Sequence, residues 1–430
     1  MDLIHNVVSR RTWLRQSAGL IAGASSHWLL PHLARAADGK RRHKACILLF
    51  MNGAPSQHHT FTPPEQGRDC QPIDTALPGV QISEHLPKLA AQLKDWVVIR
   101  SMSTGDTTHS SAKYLMHTGH PPSSTVVRPM LGSLASEQFP DADFQLPRFV
   151  NIRGVIEGTR SGAMEYPDYG SGYLPPQHAP LAVVAPDRAM EYLKSDLDTD
   201  QLAGSVALLD EMQQRFQQAR PVDSAGLQRA NYQKAIRLMQ SGKVQAFDID
   251  KEPASSRARY GDSSFGKACL LSRRLVEAGV PFVEVTFNGW DDHGVGKAAI
   301  NMKHRGPIMD QAMAALVDDL KQRGLLGSTL VVWMGEFGRS PGSGNTPPGE
   351  GHHAKAWTAA LAGGGIQAGQ VIGKVDARGG EPKDRPVNAP DFFATLCQAL
   401  ALDGHKEYET REGRPMSFLK RTATPVAGLI

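Results

Sequence analysis

Several features that would assign this chain to a familiar functional class are absent from its sequence. Its 430 residues include four cysteines and no Cys-x-x-Cys pair, which predicts neither a disulfide framework nor a thiolate zinc site. After residue 36, no apolar run is long enough to span a bilayer. The Gly363-Gly364-Gly365 tract lacks the x-x-Gly and helix context of a dinucleotide loop. We therefore expect no membrane span in the mature protein and no nucleotide at that tract.

The sequence also has little net charge of either sign. The formal net charge is +4, from 47 Lys and Arg residues against 43 Asp and Glu residues. Four of the arginines lie in the first 36 residues, so the remainder is close to neutral and contains no dense basic run. We expect no nucleic-acid partner, since binding to phosphate backbones requires concentrated positive charge.

The N-terminal segment has the pattern of a twin-arginine signal peptide. Residues 9–15 read Ser-Arg-Arg-Thr-Trp-Leu-Arg, a weakly hydrophobic stretch follows at 17–30, and Ala34-Arg35-Ala36 is a small-x-small cleavage site. The alternative is an amphipathic helix of the fold, but a polar, basic linker separates the segment from the first predicted strand. We expect a signal peptide at 1–36, the Tat export machinery as a partner, and a mature protein that is periplasmic or otherwise exported.

Strand and helix patterns alternate along most of the remaining chain, which predicts an α/β fold with a doubly wound, mostly parallel sheet. The predicted strands lie at 45–51, 96–100, 149–152, 280–287 and 357–362, and a further strand begins at Thr329. The predicted helices lie at 84–94, 201–218, 227–240, 264–278, 301–324 and 391–401. The stretch from about 155 to 260 is interpreted as a helical insertion within a single domain at 37–430.

Polar side chains follow the predicted strands at the points where they end. Asp291 and His293 follow one apolar run, and Glu336 and Arg339 follow another. In open α/β sheets, ligands bind at the carboxyl ends of the strands. Histidine combined with carboxylate suits Zn²⁺ or a similar divalent ion, whereas an all-oxygen set would suggest Ca²⁺ or Mg²⁺. The alternative is that these are ordinary loop residues that cap buried strands.

Six motifs, in this order along the chain, resemble those of the domain-of-unknown-function family 1501. They are Met51–Ser56, Arg100–Ser103, Tyr114–Gly119, Trp290–His293, Gly335–Arg339 and Leu361–Ile366. That family in turn resembles the alkaline phosphatase and sulfatase superfamily. The resemblance implies a three-layer α/β/α sandwich with metal ligands at the carboxyl ends of the strands.

The same resemblance implies roles for particular residues. It places His109 at the nucleophile position and Lys113 at the position of the neighbouring arginine. The implied metal ligands are Asp291, His293, Glu336, His352, His353 and His59. Zinc is the expected ion, with manganese or calcium as alternatives. Four positions depart from the usual family or superfamily pattern, each where an aspartate is common: Asn52, His59, Thr62 and Gly351.

Two functions from different classes follow from this resemblance. The first is a metal-dependent hydrolase of sulfate or phosphate esters, in which Arg339 and Lys113 bind a small anionic ester substrate. The second is a catalytically degenerate binding or structural protein, which the missing aspartates and the absence of a hydroxyl nucleophile favour. An oxidoreductase is a third interpretation, supported by the twin-arginine signal alone.

Overall fold

The computed structural model describes residues 44–64, 69–140, 144–156, 169–193, 198–219, 236, 238–239, 241–293, 296–342, 349, 351–410 and 412–430. Residues 43–430 form one compact unit. The expected signal peptide at 1–36 lies outside the described residues, as does most of the expected helix at 227–240, so both stay predictions. Within the described ranges, no helix combines the length and apolar character needed to cross a membrane.

The elements alternate between strands and helices over the described residues. The strands are β1 (Ala45–Met51), β2 (Pro72–Asp74), β3 (Gln81–Ser83), β4 (Trp96–Ser103), β5 (Phe149–Ile156), β6 (Leu181–Val183), β7 (Phe282–Asn288), β8 (Thr329–Met334), β9 (Gly338–Arg339), β10 (His352–His353), β11 (Trp357–Gly363), β12 (Gln370–Ile372), β13 (Lys374–Val375), β14 (Pro382–Asp384), β15 (Val387–Asn388), β16 (Glu407–Glu409) and β17 (Pro415–Ser417). The helices are α1 (Pro87–Gln92), α2 (His109–Thr118), α3 (Leu131–Glu137), α4 (Thr199–Ala219), α5 (Ala254–Tyr260), α6 (Ser264–Glu277), α7 (Lys297–Gln322) and α8 (Ala389–Ala399).

A sheet of nine described strands forms the centre of the molecule. Its order is β12-β4-β11-β8-β1-β7-β5-β6, and β15 pairs additionally with β4. β1 lies parallel to both β7 and β8, and β5 lies parallel to β7 and β6. β11 is antiparallel to both of its neighbours, β4 and β8. The sheet is therefore mostly parallel, as the alternating pattern predicted.

Both faces of the sheet are covered by helices. Successive side chains of a strand point to opposite faces, and in β1 Ile47 and Leu49 join one apolar cluster while Leu48 and Phe50 join another. The first cluster contains side chains of α1, α6 and α7, and the second contains side chains of α2, α3 and α8. This is a three-layer α/β/α sandwich, so the predicted fold class is confirmed. The buried strands explain why their sequences are continuous apolar runs.

Several elements differ from the predicted bounds, among them α7, which begins at Lys297 rather than at residue 301, and two further differences have a clear physical reason. α1 begins at Pro87 rather than at residue 84, because proline fits the first helical turn and disfavours helix in the residue before it. β6 lies inside the segment interpreted as a helical insertion and pairs with β5 at the sheet edge. With only three residues, this strand is too short to produce a recognisable alternating pattern. The four cysteines are buried and free of disulfides.

A buried ionic cluster joins two of the helices that cover the first face. The guanidinium of Arg273 is fully buried and lies 2.7 Å from the carboxylates of both Glu252 and Glu277 and 2.9 Å from that of Asp319. Arg273 belongs to α6 and Asp319 to α7. Arg274 and Arg323 pair with the same carboxylates at the more exposed side of the cluster, so removing Arg273 would leave the carboxylates only partly compensated in a medium of low dielectric constant.

We expect Arg273→Met to lower the free energy of unfolding by roughly 3 kcal/mol, because three carboxylates lose their fully buried cation and keep only the more exposed Arg274 and Arg323. Urea denaturation measures this quantity. The matched control is Arg188→Met, since Arg188 pairs with Glu191 and both side chains are more than half exposed. The control should cost less than about 1 kcal/mol. Equal effects of the two substitutions would contradict a stabilising role for the buried cluster.

Candidate metal centre

The polar segments that follow β1, β7 and β8 meet at one edge of the sheet, because the three strands are parallel neighbours. The segment after β7 carries Asp291 and His293, and the segment after β8 carries Glu336. Helix α2 starts at His109, a few residues after β4, and ends at Thr118, where Gly119 caps it in a left-handed conformation. His352 reaches the same place from β10, which pairs with β9. The described elements thus bring residues distant in sequence to one location.

Four donor atoms converge at this edge, one each from His109, Asp291, His293 and His352, and all lie within 4.8 Å of one another. His109 Nε2 is 3.1 Å from Asp291 Oδ1 and 3.1 Å from His352 Nε2. His293 Nε2 is 2.8 Å from Asp291 Oδ1 and 3.1 Å from His352 Nε2. A fifth separation, His352 Nε2 to Asp291 Oδ1, is 3.7 Å.

Hydrogen bonds on the far side of two imidazole rings indicate which nitrogen carries the proton. His352 Nδ1 lies 2.7 Å from the carbonyl oxygen of Thr107, which can only accept, so Nδ1 is the donor. His109 Nδ1 donates to Glu336 Oε1 over 2.7 Å. His352 Nε2 then presents a lone pair to His109 Nε2, which donates to Asp291 Oδ1 when the His109 ring is charged and presents a second lone pair when that ring is neutral. A cation between them would turn this repulsion into coordination.

The geometry of the donors also fits a divalent cation. With bonds of about 2.0–2.1 Å to nitrogen or oxygen, neighbouring ligands of a tetrahedral zinc ion lie roughly 3.3 Å apart. The measured separations run from 2.8 to 3.7 Å. A carboxylate or carbonyl behind each of two ring nitrogens is the usual outer shell of a metal-binding histidine. The residues present therefore suit an ion that accepts imidazole nitrogen.

Glu336 lies behind His109 and is not one of the four converging residues. Its side chain is fully buried, and besides the bond from His109 it accepts the Gly53 N–H at 3.0 Å to Oε1 and 3.3 Å to Oε2. The structure thus places this predicted ligand in the outer shell of the centre, in contact with His109 and not among the four donors. It holds the His109 ring and does not point its oxygens at the other donors.

Gly53 is a contributor that the sequence analysis did not identify. Its φ of +114° is a conformation that side chains disfavour, and a Cβ there would lie 2.3 Å from Asp291 N and 2.7 Å from the carbonyl carbon of Trp290. The turn after β1 therefore packs backbone against backbone with the segment that carries Asp291. The sequence signal for this close approach is a glycine at the second position after a buried strand.

The Arg339 side chain connects the turn after β1 to the segment that carries Asp291. Its fully buried guanidinium donates from Nε to the Ala54 carbonyl at 2.8 Å and from Nη2 to the Gly53 carbonyl at 2.5 Å. Nη2 also donates to Asp291 Oδ1 at 2.8 Å, and Nη1 lies 3.4 Å from His293 Nε2. Most donors of this predicted anion-binding residue are thus already engaged by the protein, and Nη1 is the least engaged.

Burial and the neighbouring charged groups shift the pKa values of Asp291, His109 and His352. Burial raises the pKa of Asp291, but hydrogen bonds from His109 and Arg339 outweigh it and hold that pKa well below its usual range. Burial lowers the pKa of His109, and its bonds with Asp291 and Glu336 more than reverse this, so the net shift is upward. Burial and the charge of Arg339 lower the pKa of His352. Asp291 is therefore a stable anion facing the other donors.

Three further predicted residues lie close to the centre without joining its four donors. His59 is buried with Nδ1 2.9 Å from Ser56 Oγ. His353 donates from Nε2 to the Gly380 carbonyl at 2.5 Å. Lys113 is buried on α2, one turn after His109, where burial lowers its pKa despite the nearby carboxylates of the centre. His59 and His353 are therefore placed outside the cluster that was predicted to include them.

The fold and this centre define the chain as a three-layer α/β/α protein with a histidine–carboxylate cluster at the carboxyl edge of its sheet. The chain belongs to the family described as protein of unknown function DUF1501, whose model matches residues 43–430. The family predicted from the six motifs is confirmed by this match. A comparison with curated proteins finds no match.

Solved structures with a similar chain path include members of the superfamily that the resemblance named. A sulfatase from Pseudoalteromonas sp. is 14% identical, with 87% of this chain and 70% of that chain covered and a TM-score of 0.39. A protein in the alkaline phosphatase superfamily from Vibrio parahaemolyticus is 14% identical, with 84% and 67% covered and a TM-score of 0.40. Phosphonate monoester hydrolase of Agrobacterium radiobacter is 13% identical, with 84% and 74% covered and a TM-score of 0.39.

We expect Gly53→Ala to lower the free energy of unfolding by more than about 2 kcal/mol, because the new Cβ meets the backbone of the Asp291 segment. The matched control is Gly79→Ala, where φ is also positive at +74° but nothing lies within 4 Å of the new Cβ. The control should show only the conformational cost, about 1 kcal/mol. Denaturant titration of both variants measures the difference, and equal losses would contradict the close approach at Gly53.

We expect Glu336→Gln to weaken the binding of a divalent cation by about 10- to 100-fold, because the acceptor behind His109 loses its charge. The new amide group also meets the Gly53 N–H, which is itself a donor. Competition with a chromophoric chelator measures the affinity. The control is Glu381→Gln on an exposed carboxylate paired with Lys355. A Glu336→Gln affinity equal to that of the control would show that this carboxylate does not support the centre.

Proposed function

We propose that this protein is a metal-dependent hydrolase of sulfate or phosphate esters. The observation that carries the proposal is the convergence of His109, Asp291, His293 and His352 on one point, with Glu336 behind the first of them. Three imidazole nitrogens and one carboxylate oxygen favour zinc over calcium, which prefers oxygen ligands. Manganese accepts the same donor types and is the next candidate.

The residues of the chain would hold the cation and keep its ligands in the required protonation state. The chemistry that a bound divalent cation supplies in such a centre is polarisation of an ester oxygen and acidification of water. Glu336 keeps the His109 proton on Nδ1, and the Thr107 carbonyl keeps that of His352 on Nδ1. Both Nε2 atoms thereby stay available as ligands. Asp291 contributes the negative charge.

This arrangement favours a ligand role for His109 over the nucleophile position that the family resemblance implies. Both nitrogens of its ring are engaged, Nδ1 by Glu336 and Nε2 by the cluster. Among the described residues, no hydroxyl or thiol side chain forms a hydrogen bond with any of the four donors. Water is therefore the proposed attacking group.

The centre is open enough to admit an ester. The side chain of His293 is 52% exposed and that of His352 is 27% exposed, whereas the supporting Glu336 is fully buried. The positive charges of Lys113 and Arg339 lie next to the cluster and would attract an anionic group, with Arg339 Nη1 as the least engaged donor.

Two observations favour the second candidate, a metal-containing protein that binds an anion without hydrolysing it. Most donors of Arg339 are committed to backbone carbonyls and to Asp291. Asn52, near the first-strand aspartate of the superfamily, donates from Nδ2 to Asn288 Oδ1 at 2.7 Å. In such a centre, the guanidinium of Arg339 and the side chain of Asn52 would stabilise the structure and would not take part in catalysis.

Hydrolysis of p-nitrophenyl sulfate and p-nitrophenyl phosphate by the zinc-loaded full chain tests the proposal. We expect turnover that a chelator abolishes, that zinc restores and that falls to background in Asp291→Asn. The control His353→Gln should retain both zinc and turnover, since His353 donates to Gly380 outside the cluster.

Turnover that survives both the chelator and Asp291→Asn would contradict a metal-dependent hydrolase. Zinc bound in stoichiometric amount without any turnover, together with calorimetric binding of sulfate or phosphate, would decide for the second candidate. A folded chain that binds neither zinc nor anion would exclude both.

A further inference from the structure

We propose that Cys70, Glu84 and His85 form a second divalent-metal site, separate from the first centre, at the base of the hairpin made by β2 and β3. Their thiol, carboxylate and imidazole donor atoms all lie within 4.8 Å of one another. Thiolate together with imidazole selects zinc and similar borderline or soft ions. The inference does not depend on the proposed hydrolase activity.

The pairing of the hairpin brings these donors together. Cys70 lies just before β2, and Glu84 and His85 lie just after β3, so they lie on opposite strands at the same open end of the antiparallel ladder. The backbone bonds extend past the strands, since the Glu84 N–H donates to the Gln71 carbonyl at 2.9 Å and the Gln71 N–H donates to Glu84 Oε1 at 2.9 Å. The donors come from opposite strands, so the sequence shows no short metal-binding spacing.

Polar atoms at this base are buried without a partner in the described part of the chain. His85 Nε2 and Asp69 Oδ2 have no hydrogen-bond partner and no contact with solvent. Cys70 is 3% exposed, and its thiol lies 3.0 Å from Ser83 Oγ and 3.8 Å from the Gln71 carbonyl oxygen. A buried polar atom without a partner is costly, and a bound ion is one of the few ways to satisfy it.

Packing fixes two of the three donors, and the third lies at the surface. Helix α7 approaches His85 so closely that a Cβ on Gly306 would lie 2.7 Å from His85 Cβ. Cys70 is enclosed, whereas Glu84 is exposed and has one carboxylate oxygen, Oε1, bound to the Gln71 N–H. Two donors held by packing and one carboxylate at the surface would let an ion reach the site from solvent.

Binding at this site would release the thiol proton, because the thiolate is the ligand. Burial raises the pKa of Cys70. Metal affinity should therefore increase as the pH rises, with one proton released for each ion bound. The thiol is neither oxidised nor otherwise consumed.

The location indicates a structural role. The Ser83 N–H donates to the Thr60 carbonyl at 2.9 Å, which attaches the hairpin to the turn after β1. In that turn, Gln57 accepts the Arg339 N–H at 2.8 Å and donates to the Arg339 carbonyl at 2.8 Å. An ion that joins the ends of the hairpin would therefore brace the segment that holds Arg339 under the first centre.

Cobalt titration of the reduced full chain tests the site, because only a sulfur ligand gives a thiolate-to-cobalt charge-transfer band and the first centre contains no sulfur. The titration is made on the wild-type chain and on the double variant Asp291→Asn, His352→Ala. We expect the band in both, saturating at one cobalt ion per chain in the double variant. The band should be lost in Cys70→Ser, and cobalt affinity should fall at least about tenfold in His85→Asn.

The matched control is Cys397→Ser, which changes another buried cysteine on α8 and should retain the full band. Absence of the band in the wild-type chain would overturn the proposal, as would a band that persists in Cys70→Ser. His85→Asn keeps the thiol, so it decides the question even if Cys70→Ser does not fold. Unchanged cobalt affinity in His85→Asn would remove the imidazole from the site and contradict it.

Discussion

Two ring nitrogens that face each other are the constraint on which the candidate centre depends. Nε2 of His109 and Nε2 of His352 lie 3.1 Å apart, while their Nδ1 atoms are bound to Glu336 and to the Thr107 carbonyl. In the neutral rings the two lone pairs repel each other, and either a proton on His109 Nε2, which the raised pKa of that ring favours, or a metal cation in its place removes the repulsion. A cation satisfies both rings together with Asp291, which is why the arrangement is best understood as a ligand set.

The fold produces this arrangement through backbone contacts and through one long side chain, that of Arg339. β1 lies between β7 and β8, so the turn after β1 touches both segments that carry site residues. Gly53 supplies an N–H to Glu336 and lets the backbone next to Asp291 approach. Arg339 then ties the carbonyls of that turn to Asp291. The same turn is braced by the β2–β3 hairpin, so the two proposed metal sites share one support.

The sequence predicted the parts of this structure that depend on local pattern. The apolar runs that became β1, β7 and β8 are buried on both faces, and strand ends supplied Asp291 and His293, which the structure brings together with His352. The role of Glu336 behind His109 could not be predicted, since it depends on which ring nitrogen faces the carboxylate. The group at Cys70 was missed for a similar reason. Its donors come together only because two strands of a hairpin pair in a particular register. That pairing does not produce a short, recognisable metal-binding spacing in the sequence.

Anomalous diffraction at the zinc edge, from crystals of the full chain grown with zinc, tests the central claim most directly. The account predicts a peak enclosed by His109 Nε2, Asp291 Oδ1, His293 Nε2 and His352 Nε2, with the Glu336 oxygens remaining on His109 Nδ1 and Gly53. Crystals that contain zinc but show no peak at this position would contradict it. A structure in which the His109 and His352 rings turn their Nε2 atoms away from each other would do the same.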